Sequence, residues 1–232
     1  QLRPLKRSSS AAQAWKRFTR NKAAVAALTD GKTRFDVKLV QMVRLLKNGE
    51  PFKMSKRAGN FVTLADIVDE VGKDAVRFTM LTRKADAQMD FDFAKVVEAS
   101  RDNPVFYVQY AHARIASLKR KLSDAGVAAA APDVARLDAQ ELGLVKLLAQ
   151  FPRIVEAAAS AREPHRIAFF LGDVAAAFHA WWNMGNDRPE ARVILPNDPE
   201  LTATRLYLAD GIGQIIRNGL HLMGVEALEE MN

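Results

Sequence analysis

The sequence predicts a mainly α-helical protein in which a short α/β segment precedes an all-helical bundle. Its 232 residues are 49% hydrophobic and 26% charged, a composition that indicates a globular protein. Apolar residues between Phe35 and Leu46 begin in alternation, which is typical of a strand. From Asp102 onwards, helix-start residues and apolar residues at helical spacing recur, and they predict only helices.

The first elements surround one loop. Residues 1–21 show no period and indicate a tail or loop, and Lys22–Leu28 predicts a short helix. The strand within Phe35–Leu46 leads into a loop, residues 49–64. Pro51 and Gly59, which break regular secondary structure, bracket the central part of this loop. A strand before a loop and a helix after it is the arrangement typical of nucleotide-binding α/β sheets.

Two helices are predicted after this loop. Thr63 followed by Asp66 resembles a capping box, so we expect a helix to begin there and to end at Gly72. Lys73–Leu81 predicts a second helix. Lys84–Phe93 predicts a connector that contains a short extended piece.

The remainder predicts a bundle of five helices. Asn103 followed by Pro104 starts the first helix, which is predicted to run to about Leu122, before an alanine-rich linker at residues 124–132. The next three helices are predicted near residues 138–150, 152–161 and 164–184. The sequence Asp198-Pro199-Glu200 starts the last one. Its predicted apolar stripe consists of Leu201, Leu208, Ile212, Ile215 and Leu222.

Charge is concentrated at the front of the chain. Residues 1–60 carry 15 Lys and Arg against 3 acids, whereas residues 61–232 carry 19 against 24. This asymmetry predicts that the front meets phosphate and that the rest relies on a local basic patch. The absence of cysteine excludes disulfides and thiolate metal sites and favours a cytoplasmic location. The four scattered histidines predict no protein-bound metal, and no apolar run is long enough to predict a membrane partner.

The loop contains the sequence Lys53-Met54-Ser55-Lys56-Arg57, followed by Ala-Gly-Asn. A loop with closely spaced cations can fold over a polyphosphate. It would then neutralise the charge that develops when a phosphate ester is attacked. The alternative interpretation is a solvated basic loop with no function.

A second candidate site lies on the helix that starts at Pro104. Tyr107, Tyr110 and Arg114 fall on one helical face, where two rings and a guanidinium can stack on unpaired bases and bind phosphate. Trp181, Trp182 and Asn183 form a second polar-aromatic cluster, of which Trp181 and Asn183 are the weaker candidates for RNA contact. The alternative is that these aromatic residues belong to the core. Phe106, on a different face, is expected to be a core residue.

Four segments of the chain resemble one enzyme family. Lys53–Arg57 resembles the KMSKS signature loop of class I aminoacyl-tRNA synthetases, with Arg57 in place of the last serine. The sequence Asn-Pro-Val-Phe-Tyr-Val-Gln-Tyr-Ala-His-Ala-Arg at 103–114 resembles the opening helix of the DALR-type anticodon-binding bundle of arginyl-tRNA synthetases. Residues 177–183 and 219–227 resemble the later helix and the terminus of that bundle. The likeness covers about residues 22–232.

The resemblance implies an ATP-dependent ligase that attaches arginine to its tRNA through arginyl-adenylate. It implies that residues 22–95 are the end of a Rossmann-type α/β catalytic domain, that residues 96–232 are the anticodon-binding bundle and that residues 1–21 match neither. No protein-bound metal is implied, since magnesium would arrive with ATP. A monomer is expected. The implied ATP-binding loop residues are Lys53, Met54, Ser55, Lys56 and Gly59, and the implied catalytic residues are Lys53, Ser55, Lys56 and Arg57. The implied anticodon residues are Tyr107, Tyr110, Arg114, Trp181 and Asn183.

The sequence also departs from the family. None of its histidines belongs to the His-x-Gly-His motif that holds ATP in the family's catalytic half, so the chain by itself is expected to be inactive. Three hypotheses stay open at this point. The chain is the C-terminal part of an arginyl-tRNA synthetase, a standalone tRNA-binding module, or a truncated, non-catalytic gene fragment.

Overall fold

The computed structural model describes residues 40–52, 62–98, 100, 102–124 and 130–231. These residues fall into two compact units. The described part of the first unit consists of residues 40–42 and 85–89. Within it, the Gln41 N–H donates to the Ala85 carbonyl at 2.8 Å. The second contains the described residues among 43–84 and 90–231. The elements that carry the candidate RNA-binding residues lie in the second unit.

A β-hairpin opens the second unit. Strand β1 (Val43–Lys47) pairs antiparallel with β2 (Glu50–Pro51). The turn residues Asn48 and Gly49 both have positive φ, 53° and 82°, as a tight two-residue hairpin turn requires. Strand β1 begins inside the segment Phe35–Leu46, in which the sequence predicts a strand of about six residues. Residues 35–39 lie outside the described part. The placement of residues 50 and 51 in a loop was wrong, because the Asn-Gly pair turns the chain back onto β1.

One carboxylate secures this hairpin. Strand β3 (Met89–Asp92) completes a sheet of order β2-β1-β3. The Asp92 carboxylate accepts hydrogen bonds from the backbone N–H groups of Asn48 (3.2 Å) and Gly49 (2.7 Å). It also caps the short helix α3 (Phe93–Val97) through the Ala94 N–H at 3.1 Å. The extended piece expected in the connector is thus confirmed, whereas α3 was not anticipated.

Helices α1 (Leu64–Val71) and α2 (Lys73–Leu81) begin and end where the sequence predicts. The Thr63 hydroxyl accepts from the Asp66 N–H at 3.2 Å, and the Asp66 carboxylate accepts from the Thr63 N–H at 2.7 Å, so the capping box is present. The Thr63 backbone N–H and then its hydroxyl hold the pKa of the Asp66 carboxyl below its usual value. Gly72, with φ of 86°, separates the two helices.

Five longer helices form the bundle, and the prediction of a mainly helical chain is confirmed. They are α4 (Pro104–Asp124), α5 (Ala139–Leu148), α6 (Phe151–Ala161), α7 (His165–Asp187) and α8 (Pro199–Met223). Short 3₁₀ turns at Val134–Arg136 and Pro189–Ala191 interrupt the connections. Helices α4, α7 and α8 pack on one another, α5 packs on α7 and α8, and α6 packs on α7. Val108, Leu171, Phe178, Ile212 and Ile216 are fully buried where they meet.

Two side chains of the bundle, Asn103 and Leu222, differ from expectation. The Asn103 side chain does not cap α4: its amide nitrogen donates to the carbonyls of Val96 (2.9 Å) and Glu98 (2.8 Å) and ties α3 to the bundle. On α8, Leu222 is 54% exposed rather than part of the apolar stripe. The buried face is turned toward Leu220 and Met223, because those residues meet the bundle.

The chain after α8 runs along the bundle as an irregular segment, residues 224–231, which we call the C-terminal strap. Gly224 has φ of 67° and ends α8 in the left-handed conformation that favours glycine. Side chains of α4 hold the strap: Gln109 donates to the Glu226 carbonyl at 2.9 Å, and the His112 Nδ1–H donates to the Leu228 carbonyl at 2.8 Å. The Glu226 N–H in turn donates to the Asp74 carboxylate on α2 at 3.0 Å.

Candidate nucleic-acid interface

Helices α4 and α7 enclose an open groove of about 380 Å³, which we call the aromatic groove. Its principal lining residues are Phe106, Tyr107, Tyr110, Arg114, His179 and Asn183. Helical spacing places Tyr107, Tyr110 and Arg114 on one face of α4. Helix α7 contributes His179 and Asn183, which are also one turn apart. The structure therefore brings together four of the five predicted anticodon residues.

The rings of this groove form a continuous row. Tyr110, which is 36% exposed, lies nearly parallel to Phe106, with ring centres 6.0 Å apart and an interplanar angle of 14°. It also stacks on His179 at 5.6 Å. Tyr107 is half-buried against the core, and its ring lies 4.6 Å from His179. Tyr110 is thus the most exposed ring of the row, whereas Tyr107 lies against the core.

The position of Phe106 contradicts the prediction that it is a core residue. It is half-buried, lines the aromatic groove and stacks on Tyr110, one helical turn away. The i, i+4 spacing of the two residues was visible in the sequence and indicates this contact.

Arg114 stands at the end of the row. Its guanidinium carbon is 4.7 Å from the centre of the Tyr110 ring and 5.4 Å from the centre of a Trp182 ring. Such cation–π contacts hold the side chain in place without neutralising it. Among the described residues no carboxylate pairs with Arg114. The groove therefore ends in a positive charge that two rings hold in place and that forms no ion pair with a described residue.

The two adjacent tryptophans have different roles. Trp181 is 1% exposed, and its indole N–H donates to the buried Glu141 carboxylate at 3.3 Å. This burial contradicts the prediction of Trp181 as an RNA contact. Trp182 is half-buried and stacks against Arg114. Neighbouring residues on a helix point about 100° apart, and the buried positions Val174, Phe178 and Trp181 set which side of α7 faces inward.

A buried ion pair fixes the loop beside Trp182. The Arg205 Nε donates to the Glu141 carboxylate at 2.6 Å, and both side chains are almost completely buried. The Arg205 Nη1 also donates to the carbonyls of Glu190 and Arg192, each at 2.7 Å. These bonds join α5, α8 and the loop after α7. Sequence reasoning missed this network, because a buried charged pair carries no local signal in either helix.

A second groove, of about 410 Å³, shares Arg114 and is called the cationic groove here. Its polar and aromatic lining residues are Arg114, Ser117, Lys121, Trp182, Asn186 and Arg192. No Asp or Glu is among the described residues that line it. Gly185 permits the close approach of its loop, since a Cβ at this position would lie 3.0 Å from the Arg192 Cγ and 3.1 Å from its Cα.

The phosphate-loop residues lie outside the described part of the chain. These are Lys53, Met54, Ser55, Lys56, Arg57 and Gly59. Before them, the Phe52 N–H donates to the Leu45 carbonyl at 2.9 Å, and after them the Thr63 capping box starts α1. Their predicted roles stay predictions.

The described residues contain neither a membrane-spanning helix nor a metal-binding cluster. No helix among them combines the length and apolar character required to cross a membrane. No three of their His, Asp or Glu side chains are grouped so that they could hold a metal ion.

Residues 108–231 match the family described as the DALR anticodon binding domain. The chain belongs to this family. The match takes in Tyr110, Arg114, His179 and Trp182, and it starts one residue after Tyr107. The DALR domain therefore contains most of the aromatic groove and all of the cationic groove.

Two relatives of this DALR chain carry the same description. The chain is 68% identical over 216 residues to the arginine–tRNA ligase of Novosphingobium aromaticivorans, and 57% identical over 222 residues to that of Rhodospirillum rubrum. Each match covers 91% of this chain but 37% of the relative, so the chain spans little more than a third of either relative. The arginyl-tRNA synthetase structure from Thermus thermophilus is similar at a TM-score of 0.62 and 27% identity, over 81% of this chain and 34% of that one. The predicted likeness to the C-terminal part of arginyl-tRNA synthetases is confirmed.

Proposed function

We propose that this chain binds the anticodon loop of the tRNA for arginine, as the anticodon-binding part of an arginyl-tRNA synthetase. The observation that carries the proposal is the placement of Arg114 against Tyr110 and Trp182 at the end of a row of rings. An unpaired base that stacks on Tyr110 would lie beside this guanidinium. The guanidinium can bind a base edge or a phosphate.

The charge distribution supports a local site rather than general attraction to RNA. Residues 61–232 carry 19 Lys and Arg against 24 acids, so the helical part is not basic as a whole. Affinity must therefore come from stacking and from a few placed cations, and stacking contributes about 1–3 kcal/mol per base. In this proposal Tyr110 and Arg114 contact the RNA directly. Tyr107 and His179 hold these two side chains in position, and the Asn183 amide in the wall of the groove donates a hydrogen bond to the RNA.

The catalytic part of the proposal rests on the KMSKR sequence. In the complete reaction the arginine carboxylate attacks the α-phosphorus of ATP, and pyrophosphate leaves. Lys53 and Lys56 would stabilise the leaving phosphates, with Lys56 as the main contributor. Ser55 would donate to a phosphate oxygen, Met54 and Gly59 would shape the loop, and Arg57 would share the charge. Magnesium would come with ATP, held mainly by its phosphates.

The proposed domain division follows the same resemblance, with residues 22–95 as the end of a catalytic domain and 96–232 as the anticodon-binding bundle. Because residues 1–232 contain no His-x-Gly-His motif, they should not activate arginine by themselves. Arginine-dependent exchange of pyrophosphate into ATP should therefore stay at the level of a control without enzyme. A cytoplasmic location and a monomeric state belong to the same proposal, the first because the chain has no cysteine.

Filter binding with transcripts of arginine tRNA tests the proposal. The chain should bind this tRNA more tightly than a variant of it with a replaced anticodon. Tyr110→Ala should weaken binding by about 1–3 kcal/mol. Tyr207→Ala is a matched control, because Tyr207 is 62% exposed on α8 and lines neither groove. Equal binding of both transcripts, or an equal effect of the two tyrosine variants, would refute the proposal.

A further inference from the structure

We propose that the cationic groove is a phosphodiester-binding subsite for the RNA whose bases stack in the aromatic groove. Lys121 and Arg192 are its phosphate-binding residues. The inference rests on the proposed function and adds a second contact region to it. Arg114 lines both grooves, so a strand with a base on Tyr110 reaches the cationic groove through an adjacent part of its backbone.

The three cations that line this groove, Arg114, Lys121 and Arg192, form no ion pairs within the described part of the chain. Glu229 and Glu230, which line a neighbouring groove with Arg114 and Ser117, do not line this one. Most other cations on α4 and α8 do form an ion pair. The Lys119 Nζ lies 2.6 Å from the Asp210 carboxylate, and the Arg120 Nη2 lies 3.3 Å from the Glu230 carboxylate. Three unpaired cations around one cavity repel each other, so an anion bound there lowers the free energy of all three.

The remaining polar groups of the groove can donate hydrogen bonds. The Trp182 indole N–H has no acceptor among the described residues, and Ser117 and Asn186 supply a hydroxyl and an amide. No carboxylate competes with them in the described lining. Phosphate oxygens accept hydrogen bonds from such groups and prefer charged donors. A volume of about 410 Å³ is larger than one phosphate needs and suits a phosphate with part of its nucleotide.

Arg192 is held in position before any ligand binds. Its Nε donates to the Gly185 carbonyl at 3.0 Å, and its own carbonyl accepts from the buried Arg205. The glycine at 185 lets the Arg192 backbone lie against α7. These contacts use the Nε and leave the two terminal nitrogens without a partner in the described residues. A side chain whose guanidinium is already held through Nε loses little conformational entropy when it binds phosphate.

Salt dependence of tRNA binding gives the decisive measurement. Each phosphate contact on a single strand adds about 0.7 to the slope of log K against log salt. Lys121→Ala and Arg192→Ala should each lower the slope by about 0.7, and the double variant by about 1.4. Arg153→Ala is the matched control: it also removes one exposed cation, but from α6, and it lines neither groove. Its slope should equal that of the parent.

Phosphate ethylation interference identifies the contact on the RNA. In the parent, ethylation of one or more phosphates next to the stacked base should block binding, and in Lys121→Ala this block should disappear at the same phosphates. Lys121 is exposed, so its variant should fold normally even if Arg192→Ala loosens the loop.

Several outcomes overturn the inference. If the parent binds arginine tRNA but Lys121→Ala and Arg192→Ala keep the slope of the Arg153→Ala control, the cationic groove holds no RNA phosphate while the proposed function stands. If the parent does not bind the tRNA at all, the proposed function falls and the subsite falls with it. The Trp182 indole N–H signal, assigned with Trp182→Phe, separates RNA from a free anion. A shift with inorganic phosphate but not with tRNA would make the groove a site for small anions.

Discussion

The Arg114 guanidinium lies over the Tyr110 ring, with 4.7 Å between its central carbon and the ring centre. Trp182 contacts the same guanidinium from α7 at 5.4 Å. Because the partners are rings and not carboxylates, the guanidinium keeps its full charge while its position is fixed. Both properties matter for a residue that is proposed to meet RNA.

Arg114→Lys should therefore weaken tRNA binding although it conserves the charge. A lysine ammonium cannot stack flat on two rings, and the loss should be on the order of 1 kcal/mol. Titration with arginine tRNA measures it, with Arg153→Lys as the control for the exchange itself. Binding of Arg114→Lys with parental affinity would show that the stacked geometry is irrelevant.

Breaking the buried Glu141–Arg205 pair should strongly destabilise the bundle. Glu141→Ala leaves Arg205 charged and buried, and removal of one partner of such a pair typically costs about 3–5 kcal/mol. Replacement of both residues by methionine should restore only part of that loss, because the Trp181 N–H and the carbonyls of Glu190 and Arg192 then lack their partners. Urea unfolding measures each variant. Asp210→Ala, which breaks the exposed pair with Lys119, should change stability by less than about 1 kcal/mol. If Glu141→Ala resembled Asp210→Ala, the network would not hold the helices together.

Lys56→Ala should impair amino-acid activation in a fusion that supplies a catalytic half with the His-x-Gly-His motif. Loss of one preorganised charge-stabilising donor costs about 10²–10³ in rate. Affinity for tRNA should not change, because the aromatic groove is intact. Pyrophosphate exchange measures the effect. Lys47→Ala serves as the control, since it removes an exposed cation from β1 outside the signature. A Lys56→Ala fusion as active as the Lys47→Ala fusion would contradict the assigned role.

The start of α8 should contribute a pH-dependent part of the stability. The Arg136 guanidinium, 2.6 Å from Asp198, together with the Leu201 N–H, holds the pKa of the Asp198 carboxyl below its ordinary value. A lowered folded-state pKa stabilises the fold above the ordinary value of about 3.9, and that contribution disappears as the pH falls through the folded-state pKa. Asp198→Asn keeps a good N-cap but removes the charge.

The melting temperature of Asp198→Asn should therefore lie below that of the parent at pH 7, and the gap should close as the pH drops below about 4. Asp210→Asn provides the comparison, since Asp210 caps no helix. A gap for Asp198→Asn that stayed constant between neutral and acid pH would exclude the ionised Asp198 as its source.

The helix ends could be predicted from the sequence because they depend on neighbouring residues. Thr63 with Asp66, Gly72, and Asp198 with Pro199 each act within one turn of the chain. The direction of individual side chains could not be predicted so well. The spacing of Trp181 from Val174 and Phe178 could have placed its ring in the core, whereas the half-buried position of Trp182 depends on the loop after α7, which no local pattern records.

The contacts that cross the proposed boundary between residues 95 and 96 could not be predicted either. Phe78 on α2 is fully buried in the core cluster of the bundle, and the Arg77 Nε donates to the Met223 carbonyl at 2.9 Å. Helix α2 thus packs on helices that the sequence placed in another domain. Long-range contacts of this kind join segments whose own patterns are complete, so the sequence gives no sign of them.

The C-terminal strap has a consequence for the order in which this protein is made. Its bonds join residues far apart in the chain: Gln109 and Glu226 are separated by 117 positions, and Asp74 and Glu226 by 152. While the ribosome is still producing the strap, the buried side of α4 lacks its last partners, although α4 itself emerged long before. Until Val225 of the strap reaches the core cluster, the apolar side chains that it covers stay exposed, a state in which chaperones bind and aggregation competes with folding.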